Sequence, residues 1–363
     1  MIYELDLLKP DGRSMTLYSR RPIAAGISAR SPQTEPVRAN PHLRWHPLRR
    51  EWVAYAAYRQ TRTFLPPPQY NPLRATDDPA ECTELPAGDY DIAVFDNLFP
   101  ALSPGATPPP ESIVPTAAAT GHCEVVVFTQ DPAASLAGLS VQWIAMLLEV
   151  WGRRTEAIVA RVPGIEYVLP FENRGPEVGV TLHHPHGQIY AYTHVPPVPQ
   201  RMHDAERSHF AATGEPLLEA LIEAEISDGR RILYTSDDAV AFVPAWARYP
   251  YEVWVAPRRQ TADFAALTPV SRLELARALA TTLRKYDSLW GTHFPYIMAW
   301  YQAPRTEGYA RACHLHAEFF PPYRMPGRLK FLAGTEIAAG LFANDTLPED
   351  KAAELRAVPI VQD

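Results

Sequence analysis

Three of the chain's 12 histidines fall within four positions, in the run Gly179-Val-Thr-Leu-His-His-Pro-His-Gly-Gln-Ile-Tyr-Ala-Tyr192. In an extended chain His184 and His186 stand two residues apart and share a face, with Gln188 two further on. Three chemistries suit this pattern. An H-x-H pair can present two nitrogens to zinc or iron. A polar strand can satisfy its imidazoles with hydrogen bonds and do nothing more. An imidazole can also attack phosphorus, if it is neutral, with one nitrogen free and the other donating its proton to a fixed acceptor. This last reading uses every residue of the run. Pro185 stiffens the chain and brings no amide, which leaves a local carbonyl to lock the second ring's tautomer. Gln188 can hydrogen-bond a phosphoryl oxygen as charge builds on it. The metal reading needs further ligands, and His316, Glu318 and the cysteines at 82, 123 and 313 show no tight ligand spacing.

The elements that must hold these residues recur along the chain. Strand Glu124–Phe128 is followed by Leu139-Ser140 opening a helix over Val141–Ala160, then by strand Ile165–Phe171 and the histidine strand. Strand Glu252–Val255 is followed by Leu267-Thr268-Pro269 opening a helix to Tyr286, then by Tyr296–Trp300 and His314–Phe320. From the Glu to the first His the separations are 184 − 124 = 60 and 314 − 252 = 62 residues, and from the Glu to the Leu before the helix both are 15. Ser140 and Thr268 suit N-caps, and Pro269 suits a first helical position. The matched order and spacing predict a duplication, hence an α+β fold whose two halves share a mostly antiparallel sheet with flanking helices. Further strands are expected at Arg50–Tyr55 and Ile92–Phe95, and proline-rich loops at 64–71, 103–115 and 194–199.

Composition narrows the partners. A formal charge of −7 gives no general attraction to polyanions, so any phosphate must be held locally by Arg or Lys, and nucleic acid is not expected. The most apolar stretch, Val141–Trp151, is about half of what a bilayer crossing needs, which predicts no membrane segment. Scattered cysteines, with an amino terminus lacking a basic and apolar leader, point to a reduced, cytoplasmic protein.

The run His184-Pro-His-Gly-Gln188, together with Phe171-Glu-Asn-Arg-Gly175, His314-Leu-His-Ala-Glu-Phe-Phe-Pro-Pro322 and Lys330-Phe-Leu-Ala-Gly-Thr-Glu336, resembles the galactose-1-phosphate uridylyltransferase family, the transferase branch of the histidine triad superfamily. The resemblance spans roughly residue 41 to the C-terminus. It implies histidine-triad-like halves at 41–200 and 201–363, the second degenerate, with 1–40 an extension of open role. It also implies a double displacement in which UMP passes from UDP-glucose to galactose 1-phosphate through a uridylyl-histidine. Carried over by position, His186 is the nucleophile, His184 its support and Gln188 its phosphoryl partner. Arg59 and Arg62 match phosphate-binding arginines, and Asn97 and Phe99 match a nucleoside loop in which Leu98 replaces an acid of some members. Asn173 matches a residue of the sugar phosphate site. Lys330, Phe331 and Glu336 match residues that reach the hexose and phosphate from a neighbouring subunit, which implies a homodimer with shared sites.

The chain departs from the family at its metals. Asn71 and Arg74 stand where some members have a zinc-binding C-x-x-C pair, and Pro132 where the partner histidine would be. Tyr301 and Glu318 stand where a second site has histidines. No cofactor is expected, with weak binding near His316 and Glu318 left open. Alternatives are an ADP-sugar or dinucleotide phosphorylase on the same scaffold, a catalytically silent nucleotide-sugar binder, and a metal-dependent β-barrel enzyme.

Overall fold

The computed structural model describes residues 1–61, 70–78 and 80–360. Both copies of the repeated order are present. The first runs Gly121–Val127, helix Val141–Arg161, Tyr167–Arg174 and His186–Tyr192. The second runs Trp254–Pro257, helix Pro269–Leu289, Tyr296–Tyr301 and His316–Phe320. Each helix has 21 residues, and each starts where a hydroxyl takes up an otherwise unpaired amide. Trp143 N–H donates to Ser140 Oγ at 3.2 Å, and Ser271 N–H to Thr268 Oγ1 at 3.1 Å.

The chain divides into two compact units. The first comprises Met1–Ala134, Arg153–Pro170 and Thr181–Val198. Its sheet runs Tyr3–Leu8, Ser14–Ser19, Ile92–Asp96, Gly121–Val127, His186–Tyr192 and the first half of Tyr167–Arg174. The pairings from Tyr3–Leu8 to His186–Tyr192 are antiparallel, with Val127 opposite His186 and Val125 opposite Gln188. Met15, Leu17, Leu73, Leu85, Phe95 and Val127 form a core on one face, as β-branched and aromatic residues on a half-buried pleat should. Gly121, at φ +154°, lets the histidine strand approach, because a Cβ there would strike the Ala191 carbonyl and Leu102. Residues 51–55 belong to a separate three-stranded sheet with His42–His46 and Thr116–Ala118.

The second unit comprises Ser135–Gly152, Phe171–Val180 and Pro199–Asp363. Its strands run from the second half of Tyr167–Arg174 through Tyr296–Tyr301, His316–Phe320, Trp254–Pro257 and Ala239–Phe242 to Ile232–Thr235, again antiparallel. The fold is α+β and largely antiparallel. One expectation fails. The stretch 194–199 is not simply a loop, because helix Pro197–Thr213 starts inside it; prolines in a first helical turn lose no hydrogen bond, since those amides have no partner anyway. Phe331 is 75 % exposed. Among the described residues no helix is long and apolar enough to cross a membrane.

Candidate active site

His186 opens its strand and is one of the residues lining a cavity of about 140 Å³ in the first unit. Gln188, Arg59, Asn97, Leu98, Phe99, Phe95, Leu73 and Glu84 line the same cavity. Period-two alternation puts His186 and Gln188 on one face of the strand. His184 departs from the expected arrangement. It lies in the bend before the strand, is 2 % exposed, and is not among the residues lining the cavity.

The imidazoles form a relay of fixed hydrogen bonds. His184 Nε2 lies 2.7 Å from the Thr129 carbonyl and its Nδ1 lies 3.0 Å from Asn71 Nδ2. A carbonyl only accepts and an amide nitrogen only donates, so the His184 proton sits on Nε2. His186 Nδ1 is 2.7 Å from the His184 carbonyl and must donate to it. Nε2 of His186 is thereby the unprotonated nitrogen. Burial lowers the His186 pKa below its ordinary 6.5, and the His184 carbonyl opposes this only in part. His184 is lowered as well, first by burial, with the neighbouring His186 adding to it. Both rings are therefore neutral near pH 7.

Asn97 Nδ2 donates to Gln188 Oε1 at 3.3 Å, so the Gln188 amide nitrogen is the end left to donate to a ligand. Asn97 Oδ1 accepts from Phe99 N–H at 2.8 Å, which closes the turn of the loop. Arg59 Nη1 donates to the Phe99 carbonyl at 2.7 Å and to Tyr190 Oη at 3.1 Å, which holds a guanidinium at the cavity wall. Arg62 lies outside the described residues. The structure thus brings together His186, Gln188, Arg59, Asn97 and Phe99. It places Asn173 in the second unit, on the strand opposite Ile297. Lys330 and Glu336 are also in that unit, with Nζ and Oε1 3.6 Å apart. Lys330 donates to the Ala343 carbonyl, and Glu336 accepts from Ala333 N–H at 3.1 Å and Ala343 N–H at 3.3 Å.

The metal positions implied by the resemblance do not fit a cation. At the first, the Asn71 amide donates to the nitrogen of His184 that a zinc ion would need, and the Arg74 guanidinium pairs with Asp77 at 2.6 Å. At the second, Glu318 is paired with Arg248 at 2.8 Å, and Tyr301 stacks on His316 with ring centroids 5.3 Å apart. A donor amide and two guanidiniums are the wrong chemistry for metal ligands.

Three participants had no signal in the sequence. Asn71 and the Thr129 carbonyl act on His184 from 113 and 55 residues away, and a main-chain carbonyl has no residue type to read. Glu84 is brought to the cavity wall by the N-terminal hairpin. Lys9 Nζ lies 2.5 Å and Arg13 Nη2 2.8 Å from its Oε2. The hairpin also fixes the strand Ile92–Asp96, since Ser14 N–H donates to Asp96 Oδ2 at 2.9 Å and Arg13 Nη1 to the Asp96 carbonyl at 3.1 Å.

Comparison with known proteins gives a consistent picture. Residues 32–196 match the family described as galactose-1-phosphate uridyl transferase, N-terminal domain, and residues 202–362 the corresponding C-terminal domain. The chain is 34 % identical over 325 residues to galactose-1-phosphate uridylyltransferase of Thermotoga maritima, covering 88 % of this chain and 98 % of that protein. It is 33 % identical to the Rattus norvegicus protein of the same name, covering 88 % of each. A solved structure of a uridylyltransferase superposes with a TM-score of 0.77 at 30 % identity, covering 87 % of this chain and 98 % of the other. An ADP-glucose phosphorylase from Arabidopsis thaliana, at 24 % identity and a TM-score of 0.65, shares the fold alone.

Proposed function

Because the chain belongs to the galactose-1-phosphate uridyl transferase family, we propose that it moves UMP from UDP-glucose to galactose 1-phosphate through a covalent intermediate on His186. The observation that carries this reading is the locked tautomer. His186 Nδ1–H donates to the His184 carbonyl at 2.7 Å, which leaves Nε2 unprotonated on a residue that lines the cavity. The Nε2 lone pair forms a bond to the α-phosphorus as the bond to the bridging oxygen breaks, and glucose 1-phosphate leaves with that electron pair. The ring keeps its Nδ1 proton, becomes cationic, and is supported by the carbonyl it donates to. Galactose 1-phosphate reverses the step from its own phosphate oxygen, and the imidazole returns to neutrality. Gln188 and the Arg59 guanidinium offset charge on the phosphoryl oxygens as the transition state loosens. Arg62, by position, adds a second guanidinium. Asn97 and Phe99 hold the nucleoside. No step in this scheme needs a metal.

Phe331, Ile337 and Leu341 are 75 %, 63 % and 69 % exposed on the segment that carries Lys330 and Glu336. Large apolar side chains left exposed along one segment suit an interaction surface. This supports a homodimer in which Lys330, Phe331 and Glu336 of one copy complete the sugar end of the other's site, with Asn173 at the sugar phosphate. The same reading treats 41–200 and 201–363 as histidine-triad-like halves, with 1–40 as an extension that braces the nucleoside loop. It places the enzyme in cytoplasmic galactose metabolism, with no nucleic acid or membrane partner.

The test is a substrate panel. Purified protein given UDP-glucose with galactose 1-phosphate should form UDP-galactose with parallel-line, ping-pong kinetics. Faster turnover of ADP-glucose or a dinucleotide with inorganic phosphate would replace the uridylyl reading with a phosphorylase. Thermal stabilisation by UDP-glucose without any turnover would make the protein a binder.

A further inference from the structure

Two groups of His, Cys, Asp and Glu side chains among the described residues bring their ligand atoms within 4.8 Å of one another. One is Asp96, His122 and Glu124, and cations already serve it. Arg154 grips Glu124 at 2.6 and 3.0 Å, and Arg161 reaches Asp96 at 3.3 Å. The other is His203, Glu206 and Cys313, in the second unit. Its residues are 0 %, 5 % and 0 % exposed. His203 and Glu206 lie one turn apart on helix Pro197–Thr213, with Nδ1 and Oε2 at 2.8 Å. Cys313 comes from the loop that enters the His316–Phe320 strand. No guanidinium or ammonium is hydrogen-bonded to Glu206 among the described residues. Arg207, its neighbour in sequence, lies instead over the Tyr309 ring at 4.5 Å.

We propose that His203, Glu206 and Cys313 bind a zinc ion, at a site distinct from both metal positions that the family resemblance implies. An imidazole nitrogen, a carboxylate oxygen and a thiolate sulfur are a donor set that zinc accepts at about 2.0–2.3 Å. Donors that already converge within 4.8 Å need only small side-chain movements to enclose an ion. The charges balance as well. A thiolate and a carboxylate neutralise a divalent cation, whereas without it Glu206 is a buried acid that rests on a histidine, a thiol and the His314 N–H at 3.2 Å. Binding releases the Sγ proton to solvent and moves the His203 proton from Nδ1 to Nε2. Three protein donors leave the fourth tetrahedral position to a water.

The experiment uses the full-length protein, with zinc and cobalt as probes. Wild type should retain an equimolar amount of zinc through dialysis, and a strong chelator should lower its melting temperature. Cobalt(II) in place of zinc should give a near-ultraviolet thiolate charge-transfer band. Cys313→Ala and His203→Gln should each lose the zinc, and Cys313→Ala should lose the band, with uridylyl transfer still measurable. Wild type with no more zinc than Cys313→Ala, a cobalt spectrum without the thiolate band, or full zinc retention in Cys313→Ala would each overturn the assignment. The wild-type measurements decide the matter even if a variant fails to fold.

Discussion

In both copies of the repeat, the second imidazole of an H-x-H pair lies against the carbonyl of the first, at 2.7 Å for His186 and 2.8 Å for His316. The first imidazole in turn meets a main-chain carbonyl, Thr129 at 2.7 Å or Pro257 at 2.9 Å. Beyond this shared relay the two copies diverge. His186 borders a cavity, with Gln188 two residues on and neutral. His316 is 1 % exposed, stacked on Trp254 at 4.9 Å and Tyr301 at 5.3 Å, and has Glu318 in the corresponding place. Asn71 holds His184 Nδ1 at 3.0 Å, while His314 Nδ1 is buried and has no partner among the described residues. One backbone device serves two ends. A nucleophile needs the locked tautomer, an open face and an uncharged neighbour, and only the first copy has all three.

Exchanging the residues that separate the copies should show which of these features matter. The largest effect belongs to the rings themselves. His186→Ala should lower uridylyl transfer by about 10⁴- to 10⁶-fold, as loss of a nucleophile does. His316→Ala should leave transfer within an order of magnitude, because its cost falls on packing, roughly 2–3 kcal/mol of stability. Steady-state rates and denaturant unfolding measure the two. Next comes Gln188→Glu, which copies Glu318 into the site. A carboxylate facing phosphoryl oxygens in place of a donor should cost about 100- to 1,000-fold in kcat, whereas Glu318→Gln should leave kcat unaltered. Asn71→Ala removes the support that the second copy lacks. It should lower kcat about 10- to 100-fold with little change in KM, as loss of a ring-orienting partner does.

The smallest effect is in titration, and it has opposite signs in the two copies. Burial lowers the His186 pKa from 6.5. At His316 burial also works against charge, but the Glu318 carboxylate outweighs it and the pKa is raised from 6.5. Resolved NMR titrations should put His186 below and His316 above that value, and the acid limb of kcat/KM should fall below pH 6.5. For His186 the unfolded chain takes up the proton first, so its contribution to stability falls as pH drops through about 6.5. For His316 the contribution is complete below 6.5 and is lost as pH rises through the raised value. A common midpoint for both rings would mean that their surroundings are equivalent.

Much of this was legible in the sequence because it is local. Capping hydroxyls at Ser140 and Thr268 and alternating strand residues are short-range signals, and the 60- and 62-residue spacings reported the repeat. The hidden parts depend on partners far apart in sequence. The bond between Asn71 and His184 turns what reads as a missing thiol into a working amide. The carbonyl of Thr129 has no signature at all. Nor does the sequence show that Lys9 and Arg13, in an extension of open role, fix Glu84 and the Asp96 strand. The helix starting at Pro197 was hidden by a proline count that does not separate first-turn prolines from loop prolines.

The central claim is that His186 carries the uridylyl group, and isolating that species tests it most directly. Enzyme mixed with UDP-glucose labelled in the uracil, with no acceptor present, should take up label on a peptide containing His186 and release glucose 1-phosphate one for one. The label should leave as UDP-galactose when galactose 1-phosphate is added. Turnover without a labelled protein, or label on any other residue, would contradict the account.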